Sequence, residues 1–368
     1  MRTLMISTCG TSLLTNNADA ATRSLLNQVA NRTLASVSGE ELERLTSRIA
    51  ECRERLAAAD LLQGRALSAE LNGVFGYYDD RPLGHPADRH VLLHTDTLLG
   101  EETAGLLHGC LIRFGLSTTL QTFPGLRTDT LLNFQESVVS LIGWCQEELP
   151  GYRASGFRIV FNLTGGFKSI QGWMQTLGMI HADEIVYIFE SANELLRIPR
   201  LPVAFEVGTK QVLRNHLPFF RRLATSHAVP WSAELRDIPE AFFVRMDDEV
   251  GFSPWGKLVW EQGRADLYGE QLLDPPSRRL RFSDRFRRAA AALAHDRLVI
   301  LNERIDDLTR YLATGENLRR LDFKPLRGNP LPNSTHEFDA WADQAAWRGF
   351  AHFDGNVLVL DDLGVGLH

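Results

Sequence analysis

The chain has 368 residues, of which 44% are hydrophobic and 23% charged, and carries a formal net charge of −7. That balance excludes wholesale disorder and collagen-like repeats, and about one domain per 150 residues predicts two to three domains. The negative balance speaks against a nucleic-acid binder over its whole surface. Uncharged stretches such as Gly115–Leu126 are too short and too polar to cross a bilayer. The apolar run Leu4–Ile6 stops at Ser7-Thr8-Cys9-Gly10-Thr11-Ser12, which is no signal-peptide core, so a cytosolic protein without a membrane partner is expected. Cys9, Cys52, Cys110 and Cys145 lack any C-x-x-C or zinc spacing, which predicts reduced thiols and no metal.

In chain order, Thr3–Ser7 reads as a buried strand that feeds a turn of small hydroxyl residues and glycine. Ser38-Gly39-Glu40-Glu41 is a capping-box signal, and Leu42, Leu45, Ile49, Cys52 and Leu56 behind it keep the spacing of an amphipathic helix. His90–His94 reads as a strand, Glu101–Leu111 and Thr130–Leu149 as helices, and Arg158–Asn162 as a strand. Lys168–His181 follows as a helix and Glu184–Phe189 as a strand. The alternation predicts an α/β fold over residues 1–204, with a parallel sheet and helices on both faces. Ligands of such sheets bind beyond the carboxyl ends of the strands.

The pattern changes near Leu201-Pro202. Residues 205–280, rich in Trp, Phe and Pro, read as a compact linker domain of mixed short elements. After Ser283, apolar spacing from Phe286 to Leu312 gives two helices or one bent one, closed by Gly315. Four short strands follow at Leu321–Leu326, Thr335–Ala340, Trp347–Phe353 and Val357–Leu360. Between Arg278 and Arg327 there are 13 Lys+Arg against 7 Asp+Glu, a stripe suited either to RNA phosphates or to a solvated helix face. The chain has only four lysines, Lys168, Lys210, Lys257 and Lys324.

Three turns fall where the first domain would hold a ligand: Thr8–Ser12, Thr95-Asp96-Thr97, and Asn162-Leu163-Thr164-Gly165-Gly166-Phe167-Lys168-Ser169. Small residues at a helix start leave backbone N–H groups for an anion or nucleotide. The third turn is no phosphate-binding loop of the G-x-x-x-x-G-K-[ST] type, because Phe167 stands where that loop needs glycine. The combination of STCGTSLLTN (Ser7–Asn16), NLTGGFKS (Asn162–Ser169), YIFE (Tyr187–Glu190) and IPRLP (Ile198–Pro202) resembles the CARF domains of type III CRISPR effectors, in their Csm6-like branch. The resemblance implies a Rossmann-like domain over 1–204 that forms a homodimer and binds a cyclic oligoadenylate across its two-fold axis. Tetra-adenylate is favoured as activator, because its symmetry suits a two-fold dimer, an argument that hexa-adenylate satisfies too. Carried over by position, Thr8, Gly10, Thr11 and Ser12 would line one side of the ligand and Gly165, Gly166, Lys168 and Ser169 the other, with Asp96 and Thr97 nearby.

Effectors of that kind commonly carry a helical HEPN nuclease marked by R-x(4–6)-H, a spacing found at Arg222–His227 and Arg288–His295. The strand-rich end of the chain fits something else. A basic helical pair followed by DFKPLRGNP (Asp322–Pro330), HEFDAW (His336–Trp341) and WRGFAHF (Trp347–Phe353) resembles the toxins of the RelE/HigB superfamily. Over 281–368 this implies a small α+β ribonuclease that cuts mRNA, usually on the ribosome, by attack of the RNA's own 2′-hydroxyl. Carried over by position are Lys324, Arg327 and Arg348; His336 and His352 join them on chemical grounds. Lysine and arginine would stabilise phosphate charge and a histidine would exchange protons, without cofactor or metal. Strand alternation puts Arg348, Phe350 and His352 on one face. The rival readings are a HEPN enzyme for free single-stranded RNA, and a ligand-gated regulator whose residues 205–280 form a DNA-binding winged helix.

Overall fold

The structure is a computed structural model, and it describes residues 2–78, 85–127, 130–188, 194–200, 207–226, 228–327, 331, 333–343 and 346–366. The chain divides into two compact units, Met1–Ala204 and Phe205–His368.

Unit 1 is built on a six-stranded sheet of β1 (Arg2–Thr8), β2 (Arg89–Leu93), β3 (Ser117–Gln121), β4 (Phe157–Asn162), β5 (Glu184–Ile188) and β6 (Leu195–Pro199). Their order is β3-β2-β1-β4-β5-β6. Every pairing from β3 to β5 is parallel, and β6 closes that edge antiparallel to β5. Leu4, Met5 and Ile6 of β1 are all 0% exposed, as a central strand covered on both faces requires. From β1 the chain builds the sheet outward to β2 and β3 on one side, and then to β4 and β5 on the other. The switch point therefore lies between the carboxyl ends of β1 and β4, the place where open α/β sheets bind ligands.

The helices start where their caps dictate. Helix Gly39–Ala58 opens with the full reciprocal capping box of Ser38 and Glu41, and its buried face holds Leu45, Ile49, Cys52 and Leu56. Helices Leu98–Arg113 and Leu131–Ala154 begin at the side-chain caps Thr97 and Thr130. All four cysteines are buried thiols.

Unit 2 contains two separate hydrophobic clusters. In the first, helices Val207–Asn215, Leu217–Ser226 and Pro254–Tyr268 pack with a small sheet of β7 (Ala228–Pro230), β8 (Phe243–Met246) and β9 (Glu249–Phe252), ordered β7-β9-β8. Trp260 is fully buried, with its ring 6.1 Å from Phe220 in a stacked pair. Between β7 and β8 the chain makes only the 3-10 turns Ala233–Asp237 and Glu240–Phe242, so no recognition helix stands there for a winged helix to use.

In the second cluster, helices Asp284–Ala291 and His295–Thr314 cover one face of a five-stranded sheet. Its strands are β10 (Leu280–Phe282), β11 (Lys324–Pro325), β12 (His336–Trp341), β13 (Trp347–Asp354) and β14 (Val357–Val365). Their order is β10-β14-β13-β12-β11, with β10 parallel to β14 and every other pair antiparallel. The expected strand over 321–326 shrinks to two residues, because Asp322 takes a left-handed φ of 44° that breaks extension. A buried ion pair joins the two clusters: Arg221 Nη2 lies 2.6 Å from Asp306 Oδ1, and the Tyr268 hydroxyl donates to the same carboxylate. Burial pushes the Asp306 carboxyl above its ordinary range in spite of Arg221.

Candidate functional site

The loops after β1 and β4 meet at the switch point of unit 1. The Thr8 hydroxyl donates to the Gly165 carbonyl at 2.6 Å, and Gln171 Nε2 donates to the same carbonyl at 2.7 Å. The glycines are there because the loops touch. A Cβ on Gly10 would lie 3.1 Å from the Gly166 backbone, and Gly166 itself has a φ of +110° that other residues rarely adopt.

Beneath both loops sits a carboxylate that sequence reasoning missed. Glu70, 1% exposed, accepts the Gly10 N–H at 2.7 Å and the hydroxyls of Ser12 at 2.8 Å and Ser68 at 2.5 Å. A Cβ on Gly165 would fall 2.2 Å from its Oε1, so the third turn rests on it as well. Asn162 completes the support by donating to Ser7 Oγ at 3.1 Å and to the Glu70 carbonyl at 3.2 Å. The Cys9 thiol, 1% exposed, is raised well above its ordinary range by burial and then by the Glu70 charge, both of which disfavour the thiolate.

This geometry divides the candidate ligand residues. Thr8 and Thr97 are buried, at 0% and 1% exposure, and their hydroxyls serve the loop contact and the helix cap. They brace the site rather than face a ligand, which corrects the expectation for both. Gly165 is likewise buried against Glu70. Asp96 accepts the Gly125 N–H at 2.7 Å and pairs with Arg127 at 3.1 Å, so its charge is already engaged. The Gly10 N–H is also taken, by Glu70. The Ser12 hydroxyl is engaged as well, donating to Glu70 and accepting the Ala69 N–H at 3.1 Å. What remains toward solvent is Thr11, Gly166, Lys168 and Ser169, the last two exposed.

Two helices begin at this edge, the short Ser12–Thr15 and the longer Lys168–His181, and neither has a side-chain cap. The other α-helices of unit 1 described here all carry one. In the short helix the Leu14 N–H is already bonded to the Thr11 carbonyl at 2.9 Å. At the longer helix, the uncapped first turn and the positive end of the dipole, beside exposed Lys168, make a place for negative charge.

In unit 2 the five candidate catalytic residues do not share one surface. Cross-strand pairing sets Asp339 opposite Arg348 and Glu337 opposite Phe350, on the sheet face turned away from the helix-packed core that holds Phe338, Ala340 and Ala351. Arg348, Phe350 and His352 share that outer face, as alternation predicts. Lys324, paired with Glu337 across β11 and β12, stands there too. His336 lies opposite Ala351 on the helix side and stacks on Phe323, with ring centroids 5.1 Å apart. Burial lowers its pKa. His336 is thus separated by the sheet from the other candidates, which corrects its grouping with them. Arg327 is exposed beside residues outside the described set.

Each base on the outer face has an acidic partner. Lys324 pairs with Asp322, Arg348 with Asp339, and His352 Nδ1 lies 2.8 and 3.0 Å from the two carboxylate oxygens of Asp361. Phe350 and Glu337 in its middle are 3% exposed. The rival nuclease spacings sit differently. Arg222 is exposed and lines a cleft of about 580 Å³ with Arg221, Asp274 and Arg287, while His227 lies outside the described residues. Arg288 and His295 belong to successive helices.

Among the described residues no helix is long and apolar enough to cross a membrane. No curated protein matches the sequence. Residues 65–201 match a family model described as CRISPR-associated protein (Cas_APE2256). The match lies within unit 1 and includes Glu70, Asp96 and the whole turn from Asn162 to Ser169, and over that stretch the chain is similar to CRISPR-associated proteins.

Proposed function

We propose that the chain is a cyclic-oligoadenylate-activated ribonuclease of CRISPR defence, with a CARF-type sensor in unit 1 and a RelE-like, metal-independent nuclease at the end of unit 2. The observation that carries the sensor is the uncapped start of helix Lys168–His181 at the switch point, with Lys168 exposed and inside the matched stretch. An anionic ligand is what such an edge accepts. The activator proposed is cyclic tetra-adenylate bound by a homodimer, and the substrate is mRNA, probed on the ribosome. The nuclease reading rests on the helix-helix-sheet order and on Lys324, Arg348 and His352 sharing one face.

The decisive measurement is RNA cleavage with and without cyclic tetra- or hexa-adenylate, using the wild type and two variants. Lys168→Ala is expected to weaken activator binding in calorimetry by roughly 1–3 kcal/mol, the range of a charge-assisted hydrogen bond. Arg348→Ala is expected to slow cleavage at least about 10²-fold with activator affinity intact, as for loss of a transition-state donor. Unchanged affinity in the first variant removes Lys168 from the site. A fully active second variant removes the nuclease from this sheet.

A further inference from the structure

The outer face of the last sheet contains an arrangement that the sequence motifs do not announce. Along β13 and β14, Phe350 pairs with Asp362 and Ala351 with Leu360, so Asp361 is an extra residue with no partner across the ladder. Such a bulge turns one side chain away from the strand's alternation, and bulges gather beside active sites for that reason. Here it aims the Asp361 carboxylate at His352 Nδ1. The bulge is pinned twice. Ser334 Oγ donates to Asp361 Oδ2 at 2.8 Å, and Ser283 Oγ donates to the Asp361 carbonyl at 2.6 Å while also capping helix Asp284–Ala291. Ser334 is 4% exposed, so its bond is sheltered from water.

An imidazole held in this way by its Nδ1–H keeps Nε2 as an acceptor, and the His352 side chain is 34% exposed. The other charged groups on this face are Lys324 of β11, Glu337 and Asp339 of β12, Arg348 of β13 and Asp362 of β14. Of these, Lys324, Arg348 and Asp362 are each in an ion pair of their own, Asp362 with Arg285 at 2.7 Å. Asp361 is the carboxylate in hydrogen-bond contact with the ring.

We propose that His352 is the general base of the nuclease and that Asp361, oriented by Ser334, is its positioning residue; this rests on the ribonuclease reading above. His352 Nε2 takes the proton of the RNA 2′-hydroxyl as that oxygen bonds to phosphorus and the P–O5′ bond breaks. The departing 5′-oxygen takes a proton from water, and His352 returns its own to water. The products are a 2′,3′-cyclic phosphate and a 5′-hydroxyl.

Two measurements on the full chain test this separately. In the first, the tautomer of the His352 ring is read by nitrogen-15 NMR in the wild type, Asp361→Asn and Ser334→Ala. The wild type should show the Nδ1–H form, and Asp361→Asn should raise the share of the Nε2–H form, since the partner of Nδ1 sets which ring nitrogen carries the proton. Ser334→Ala, which leaves the carboxylate in place, should give a smaller change. An identical tautomer in wild type and Asp361→Asn overturns the positioning role, whatever the activity. In the second, activator-dependent cleavage is timed. His352→Ala should lose about 10²–10⁴-fold. Asp361→Asn should be slower than the wild type but faster than His352→Ala. A His352→Ala variant with wild-type cleavage overturns the general base while leaving the nuclease reading standing. A wild type that cuts no RNA with either activator overturns both, and the NMR result then still reports whether the dyad exists.

Discussion

His90 shows how a single buried side chain ties stability to pH. It is 1% exposed on β2, its Nε2 shares a hydrogen bond of 3.1 Å with the Tyr78 hydroxyl, and burial lowers its pKa from 6.5 to about 4. Above pH 6.5 the ring is neutral in both folded and unfolded chains. As pH falls from 6.5 toward 4, the unfolded chain binds a proton that the folded one refuses, so stability is lost through that window. The loss is on the order of 3 kcal/mol. Chemical denaturation at a series of pH values should give the wild type a steeper fall between pH 6.5 and 4 than His90→Gln, which keeps a polar partner for Tyr78 but does not titrate. Parallel curves would show that another group carries the dependence. Glu70 is the opposite kind of residue, a buried acid whose partners Ser12 and Gly10 lie 58 and 60 positions away in the chain. In the sequence it is one more glutamate on a helix, and nothing local marks it as the floor of the site.

Elements were legible where local chemistry and burial agreed. The strand at Thr3–Ser7 and the helix behind Ser38 appear close to where their patterns place them, because buried apolar runs and a capping box act through neighbours in the chain. The edge strands β3, β6 and β10 were not read. Ser117-Thr118-Thr119-Leu120-Gln121 has no apolar alternation, and Leu195–Pro199 is mostly open to solvent, so their pairing comes from the strand beside them. The Asp361 bulge escaped for the same reason: a skipped pairing is a property of two strands and is written in neither alone. Helix glycines separate local from tertiary constraint in the same way. A Cβ on Gly256 would lie 1.9 Å from the Phe242 carbonyl oxygen, whereas one on Gly109 meets nothing within 4 Å. Gly256→Ala should therefore cost about 1–3 kcal/mol through overpacking. Gly109→Ala should add about 0.5–1 kcal/mol through helix propensity. Thermal melts of the two variants check both signs at once.

For the whole molecule, the separating question is what orients the RNA. Among the described residues, the outer face of the last sheet offers charge and one histidine, but Phe350 and Glu337 fill its centre and each base is already paired, so these residues build no groove for a flexible strand. Orientation accounts for roughly 7–11 kcal/mol of such a barrier. On the proposed reading the ribosome supplies it, and activated protein should cut an mRNA on programmed ribosomes far faster than the same RNA naked, with cuts confined to the A-site codon. Equal rates, or scattered cuts, would favour a self-sufficient nuclease of the HEPN kind.

The position of β14 also governs when this sheet can exist. It follows every other strand in the chain, yet it lies inside the sheet, between β10 and β13. During synthesis, unit 1 can fold as soon as it clears the ribosome. The last sheet must wait with β10 unpaired until residues 357–365 emerge, and Asp361 emerges with them. On the proposed reading, a nascent chain thus acquires its sensor first and the completed nuclease face last, so unfinished copies made beside other messages would have no dyad with which to cut them.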